Sequence, residues 1–126
     1  MKIGLIGSGG REHAIAKALT KFPERDSIER VAADMLIGDL QNAGNIAAYF
    51  RSKGVEMVVV GPEVPLIAGV SDKLRSIGIK TVGPTKAQAQ LEGSKIFMRD
   101  LMQRRVKMGA PLWREVKDTA SARRFI

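Results

Sequence analysis

The stretch that decides the fold is Ile3-Gly4-Leu5-Ile6-Gly7-Ser8-Gly9-Gly10-Arg11-Glu12-His13. A short apolar run, typical of a buried strand, passes through three glycines into a segment of helix-forming residues. Glycines let a backbone turn tightly and approach a bound anion closely. The first turn of a helix directs free N–H groups, and the positive end of the helix dipole, toward that anion. The stretch therefore predicts a strand, a phosphate-binding loop and a helix.

The glycine pattern by itself leaves the ligand open. The dinucleotide-binding pattern Gly-x-Gly-x-x-Gly has a third glycine that allows close packing of the helix on the strand. Here the register that begins at Gly7 and Gly9 places Glu12 in that third position. No Gly-Lys-Ser/Thr follows, so the loop does not match the Walker A pattern either. A glycine turn that serves only tight packing of the helix is the remaining alternative.

Length and composition limit the class of protein. The chain has 126 residues, 44% of them hydrophobic, which suits one globular domain. It contains no cysteine and one histidine, which excludes disulfides, thiolate metal sites and histidine metal clusters. No apolar run approaches the roughly 18 residues of a membrane span. The first apolar run is too short for the core of a signal peptide, so we expect a cytoplasmic protein.

The net charge of +8 is concentrated toward the carboxyl terminus. Residues 99–126 hold eight of the 21 Lys and Arg residues but three of the 13 Asp and Glu residues. A basic patch can bind nucleic acid, but the aromatic side chains that could stack on unpaired bases are limited here to Trp113 and Phe125. A solvated face, or a surface that meets an acidic neighbour, fits better, and we expect no nucleic-acid or membrane partner.

Strand-like and helix-like segments alternate along the chain. The strongest strand is the apolar run Val55–Val60, whose continuity is typical of a strand covered on both faces. Alternating elements with short connections predict a doubly wound α/β fold, with a mostly parallel sheet and helices on both faces. The predicted strands are Lys2–Ile6, Ile28–Ala33, Val55–Val60 and Ile79–Val82, with a weaker one at Met35–Leu40; the predicted helices are Arg11–Lys21, Asn42–Lys53, Leu66–Ile77, Thr85–Leu91, Ser94–Arg105 and Thr119–Ile126.

Three glycine-bearing loops follow strands of this predicted sheet, at Gly7–Gly10, Gly61–Glu63 and Gly83–Thr85. The carboxyl ends of parallel strands meet at one edge of an open α/β sheet, where such sheets bind ligands. We therefore expect the three loops to converge on one small anionic molecule. Glu63 supplies a carboxylate suited to hydroxyl or amine groups; the alternative is an exposed loop carboxylate or one beside a helix N-terminus.

Three motifs, in this order, resemble the N-terminal domain of the phosphoribosylamine–glycine ligase family of the ATP-grasp superfamily. They are the loop at 7–13, Val-Val-Gly-Pro-Glu-Val-Pro-Leu-Ile-Ala-Gly at 59–69, and Gly-Pro-Thr-Lys-Ala-Gln-Ala-Gln-Leu-Glu-Gly-Ser-Lys at 83–95. The resemblance implies a Rossmann-like pre-ATP-grasp domain. It also implies a ligase of purine biosynthesis that uses ATP and magnesium to join glycine to 5-phosphoribosylamine, giving glycinamide ribonucleotide.

The resemblance assigns roles to individual residues. It implies one set of substrate-binding residues, in which the first loop faces the phosphoribosyl group and the later carboxylate binds ribose hydroxyls: Ser8, Gly9, Gly10, Arg11, Glu12 and Glu63. Lys95 matches the lysine that reaches the phosphates of ATP; without the resemblance it would be a solvated charge. No catalytic residue and no metal ligand carry over. We interpret His13 as a packing or hydrogen-bonding residue near the loop.

Two departures from the family pattern bear on function. The family carries a Pro-Gly-Asn loop after its second strand, whereas Ile28–Ala33 here runs directly into Asp34–Gly38. Either one wall of the substrate site is removed, or residues are absent from this chain. The sequence also stops at Ile126, where the nucleotide-binding domain of the family begins. We therefore expect a substrate-binding domain at 1–105 and the start of a linker at 106–126, inactive without an ATP-grasp domain or chain.

Two other functions stay open at this point. A Rossmann-type dinucleotide-binding module would use Asp34, 24 residues beyond Gly10, as the acidic residue that binds a ribose. A non-catalytic scaffold would instead dock a separate ATP-grasp chain through the basic residues 99–126. A bound ligand stabilises a fold, so thermal shifts with different ligands would distinguish the three functions.

Overall fold

The computed structural model describes residues 1–21, 27–31 (backbone only), 41–106, 108–109 and 111–125. It forms two compact units, Met1–Ala89 and Gln90–Ile126. The elements, in chain order, are β1 Lys2–Ile6, α1 Gly10–Thr20, β2 Ser27–Val31, α2 Ala43–Ser52, β3 Met57–Val60, α3 Glu63–Ala68, α4 Val70–Ser76, β4 Lys80–Val82, α5 Lys86–Gly93, α6 Lys95–Leu101, a π-helical turn at Met102–Val106, and α7 Thr119–Arg123.

Some sequence predictions concern other parts of the chain. The weak strand at Met35–Leu40, the acidic residue Asp34 and the connection after the second strand lie outside the described residues. The predicted division of the chain into a domain at 1–105 and a linker at 106–126 is a functional division, and it stays a prediction.

The sheet of the first unit is parallel throughout, in the order β2-β1-β3-β4. β1 pairs with β3 from Ile3 opposite Met57 to Ile6 opposite Val60. This register places the carboxyl ends of the two strands side by side, so the loops that follow them are neighbours. The strand predicted at Val55–Val60 begins two residues later than expected but lies inside the sheet, between β1 and β4. The predicted parallel α/β sheet is confirmed.

Helices cover both faces of this sheet. Side chains alternate along a strand, so Gly4 and Ile6 face one side while Ile3 and Leu5 face the other. On the first side a Cβ added to Gly4 would lie 2.8 Å from Cδ1 of Phe50 in α2, which shows how closely that helix packs. On the second side α1 packs against β1 and β2. The larger core lies on the first side and includes Ile6, Ile46, Ala47, Phe50, Val55, Val58, Val60, Leu66, Val70, Leu74, Ile79 and Ala89.

The helix predicted at Leu66–Ile77 is two helices, so that prediction is wrong in joining them. Gly69 lies between α3 and α4 with a φ of 91°, in the left-handed region. Its N–H donates to the carbonyl of Leu66 at 3.0 Å and closes the end of α3. A left-handed residue cannot continue an α-helix, so the chain changes direction there.

The second unit contains short helices, two of which begin at a residue whose side chain caps the helix. The Ser94 hydroxyl accepts from the N–H of Phe97 at 3.2 Å at the start of α6, and Asp118 caps α7. Arg104 pairs with Asp100 at 2.9 Å, so part of the basic stretch is neutralised locally. Among the helices of the described ranges, none combines the length and the apolar character needed to cross a lipid bilayer.

We expect Leu74→Ala to lower the free energy of unfolding by about 2–5 kcal/mol, because it removes a completely buried side chain and leaves a cavity in the core of the first side. Leu91→Ala, at a position that is 48% exposed, is the matched control and should change stability by about 0.5 kcal/mol. Urea unfolding of both variants measures the difference. Equal losses would contradict the core described above.

The cap of α7 should depend on pH. Hydrogen bonds from the N–H of Ser121, and next from its hydroxyl, lower the pKa of the Asp118 carboxyl below its usual 3.8. A lowered pKa means that the cap contributes fully above the unfolded value and that the contribution is lost as the pH falls through the folded value. An NMR titration of the Asp118 carboxyl carbon should give a midpoint below 3.8. In Asp118→Asn, which caps without titrating, α7 should show no such acid transition.

Candidate functional site

The loops after β1 and β3 enclose an open pocket of about 420 Å³. This volume lies within the usual range for small-molecule sites. The lining residues come from these two loops and the helix starts that follow them: Gly7, Ser8, Gly9, Gly10, Arg11, Glu12, Pro62 and Glu63. Two of the three loops that the sequence predicts to converge therefore do so. The third loop, Gly83–Thr85, does not line this pocket, and its Gly83 carbonyl instead accepts from Arg75 at 2.5 Å.

The first turn of α1 supplies the donors of the pocket. Gly9 is the N-cap, with extended backbone angles, and the N–H of His13 donates to its carbonyl at 3.0 Å. The N–H groups of Gly10, Arg11 and Glu12 precede this bond, so they have no acceptor within the helix. Together with the positive end of the helix dipole, they favour an anion at this wall of the pocket.

Arg11 adds a positive charge beside these N–H groups. Its side chain is exposed, and Nη1 donates to the carbonyl of Gly61 at 2.9 Å. One hydrogen bond occupies one of the five N–H donors of a guanidinium, so the others remain for a ligand. The bond also ties the start of α1 to the loop after β3, which holds the charge at the mouth of the pocket.

Glu12 differs from its neighbours because its side chain is buried. The residue is 5% exposed, and Oε2 accepts from the N–H of Gly9 at 2.8 Å. This is the half of a capping box in which the third helical residue reaches back to the N-cap N–H. Glycine at the N-cap has no side chain to complete the other half. The carboxylate therefore lies beneath the loop, with one oxygen already bonded to the backbone.

Residues 1–92 match the family model described as phosphoribosylglycinamide synthetase, N domain. The chain belongs to this family.

Similar proteins include several named phosphoribosylamine–glycine ligase. A phosphoribosylamine–glycine ligase of Agrobacterium fabrum is 44% identical over 112 aligned residues, covering 82% of this chain and 26% of that protein. Those of Rhizobium meliloti and Methanoregula boonei are 41% and 38% identical over the whole chain, which covers 31% and 32% of them. The chain thus spans about a quarter to a third of the length of these curated relatives.

The structure brings together all six residues that the sequence predicts to bind substrate in this N domain, because each of them lines this same pocket. Glu63 is exposed at the first position of α3, across from the glycine loop. Gly7 and Pro62 also line the pocket. Both lie in the two loops that the sequence predicts to converge, although neither is among the residues predicted individually to bind substrate. Binding by these residues stays a prediction.

Lys95 and His13 are not among the residues that line this pocket. Lys95 is the exposed first residue of α6, in the second unit, and its contact with a nucleotide stays a prediction. His13 is exposed on α1 and hydrogen-bonds through its backbone N–H to Gly9, so its imidazole is not a buried packing group. Within the described ranges, no group of three or more His, Asp or Glu side chains is arranged to hold a metal ion.

We expect Gly7→Ala to lower the free energy of unfolding by about 3 kcal/mol, because two costs add there. Gly7 has a φ of 121°, and an added Cβ would lie 2.5 Å from Cγ of Glu12. Gly54→Ala is the matched control: its φ is 66° and its Cβ would meet nothing within 4 Å, so it should cost about 1 kcal/mol. Urea unfolding measures both variants. Equal costs would show that the contact with Glu12 contributes nothing.

Proposed function

We propose that this chain is the N-terminal, substrate-binding part of an ATP-dependent ligase that joins glycine to 5-phosphoribosylamine in purine biosynthesis. We further propose that the pocket between the loops after β1 and β3 binds the phosphoribosyl group. The observation that carries this proposal is the pairing of an anion-binding helix start with a carboxylate across one pocket. The membership of the family and the names of the relatives support it.

The phosphate would bind at the first turn of α1. There a doubly charged phosphate receives hydrogen bonds from the N–H groups of Gly10 and Arg11 and meets the positive charge of the Arg11 guanidinium. Such charge-assisted bonds are about twice as strong as those between neutral groups. The pocket is open to solvent, so water and salt screen part of this attraction.

The ribose would extend toward Glu63. A carboxylate repels a phosphate but accepts hydrogen bonds from hydroxyl groups, so the two walls of the pocket prefer the two ends of a phosphorylated sugar. Glu63 stands at the exposed start of α3, where its oxygens are free to turn into the pocket. The arrangement orients the ligand, with the phosphate at α1 and the hydroxyls at α3.

ATP and magnesium belong to the proposed whole enzyme. The described residues do not fit a magnesium site, since they hold no cluster of carboxylates for it, and we place no step of the reaction there. Lys95 would offer one positive charge to the phosphates of ATP, which would be worth little by itself at an exposed position. The need for an ATP-grasp domain or chain, the inactivity of this chain by itself and the cytoplasmic location stay predictions.

We expect the chain to bind ribose 5-phosphate with a dissociation constant around the millimolar range, about 4 kcal/mol of binding free energy. It should bind NADH more weakly. Arg11→Ala should weaken the binding of ribose 5-phosphate about tenfold, or about 1.4 kcal/mol, through the loss of one charged donor. Arg51→Ala, which removes an exposed charge from α2, is the matched control and should leave the affinity unchanged. NMR titration of the backbone amides measures all four affinities.

Glu63→Gln separates the two walls in the same experiment. It should weaken the binding of ribose 5-phosphate but not that of inorganic phosphate, because inorganic phosphate has no ribose hydroxyls and is repelled by the carboxylate that the change removes. Tighter binding of NADH than of ribose 5-phosphate would instead support the dinucleotide-binding module. Equal affinities of the Arg11 and Arg51 variants would contradict a phosphate site at α1.

A further inference from the structure

The side chain of Glu12 fills the space between the two loops of the pocket. A Cβ added to Gly7 would lie 2.5 Å from Cγ of Glu12, and one added to Gly9 would lie 2.9 Å from Oε2. A Cβ added to Gly61, on the other loop, would lie 2.7 Å from Cδ and still closer to Oε1. These distances are shorter than the van der Waals contacts of real Cβ atoms. The carboxylate is therefore packed directly against the backbones of both loops.

We propose that Glu12, which the family resemblance places among the substrate-binding residues, is instead a positioning residue: its side chain sets the separation of the two pocket walls and does not itself contact the ligand. This inference rests on the proposed function, because the walls it spaces are those assigned to phosphate and ribose. The burial of Glu12 supports the role: a residue that is 5% exposed, with Oε2 bonded to the N–H of Gly9, presents little surface to a ligand.

Arg11 and Glu12, both in the first turn of α1, contact the same residue, Gly61. Arg11 donates to the carbonyl of Gly61 at 2.9 Å, while the carboxylate of Glu12 lies against the Cα of Gly61. The loop after β3 is thus held by a hydrogen bond and by a close steric contact. Pro62 and Glu63 follow Gly61 directly, so any shift of Gly61 moves the ribose side of the pocket.

The position of the Glu12 side chain explains why residue 61 is a glycine. Gly61 is not among the residues with positive φ, so its backbone conformation is open to other amino acids. What excludes a side chain there is the carboxylate of Glu12. The glycine of the Gly-Pro-Glu motif and the glutamate of the first motif are therefore a matched pair, although 49 positions separate them in the chain.

A double-mutant cycle on the full chain tests this pairing, with Glu12→Ala, Gly61→Ala and the two combined. Each single change should weaken ribose 5-phosphate about tenfold, or about 1.4 kcal/mol, because one opens a hole between the loops and the other forces them apart. In the double variant the methyl group introduced at position 61 would occupy space that the carboxylate leaves. We expect the affinity of the double variant to fall by about tenfold and not by the hundredfold of independent effects.

Glu12→Gln provides the test of charge. The amide keeps the shape and an oxygen for the Gly9 N–H, so affinity should stay within about threefold of the parent chain, about 0.7 kcal/mol. A loss as large as that of Glu12→Ala would overturn the proposal, because it would mean that the ligand contacts the charge. The matched controls are Glu92→Ala and Gly44→Ala, at exposed helical positions outside the pocket, and both should bind like the parent chain.

Urea unfolding of the same variants separates this inference from the proposed function. The destabilisations caused by Glu12→Ala and Gly61→Ala should be less than additive in the double variant, whether or not any sugar phosphate binds. Additive losses of stability and of affinity would overturn the pairing. Non-additive stability in a chain whose parent form does not bind ribose 5-phosphate would uphold the contact between Glu12 and Gly61 and overturn the phosphoribosyl ligand.

Discussion

The parallel pairing of β1 with β3 is the constraint on which the pocket depends. The pairing places Ile6 opposite Val60, so the two strands end side by side at the same edge of the sheet. A shift of one residue would turn the buried side chains of β3 toward the wrong helices and carry its loop away from the first. The buried valines at 58 and 60 oppose such a shift, since they pack in the core on one face.

The first turn of α1 has two proposed roles: its N–H groups bind an anion, and its Glu12 side chain spaces the two loops of the pocket. Its first residues, whose N–H groups have no acceptor within the helix, line the open pocket, while the side chain at its third position is buried. An inward carboxylate so near the proposed phosphate site costs electrostatic energy. The hydrogen bond from Gly9 offsets part of that cost, and the helix dipole favours negative charge at this end of α1.

The sequence predicts the sheet well because its signals are local. The apolar run that becomes β3, the glycines that end β1, and the alternation of strands with helices all act over a few residues. It predicts the division at Gly69 poorly, since the apolar positions of 66–77 fit one helix as well as two. The same limit applies to Glu12. Its place in the glycine motif is visible in the sequence, but its inward orientation depends on Gly61, which is distant in the chain and adjacent only in the fold.

The order of the strands also bears on how the domain is made. β1 is paired on both sides, with β2 and with β3, and its partners in β3 lie 54 positions further along the chain. Contacts between such distant segments form only after a large loop has closed. The conformational entropy lost in closing that loop slows folding. During synthesis, the glycine loop therefore emerges from the ribosome long before the strand that completes it. Until β3 and the loop after it have been synthesised, α1 lacks the second pocket loop that it contacts in the folded domain.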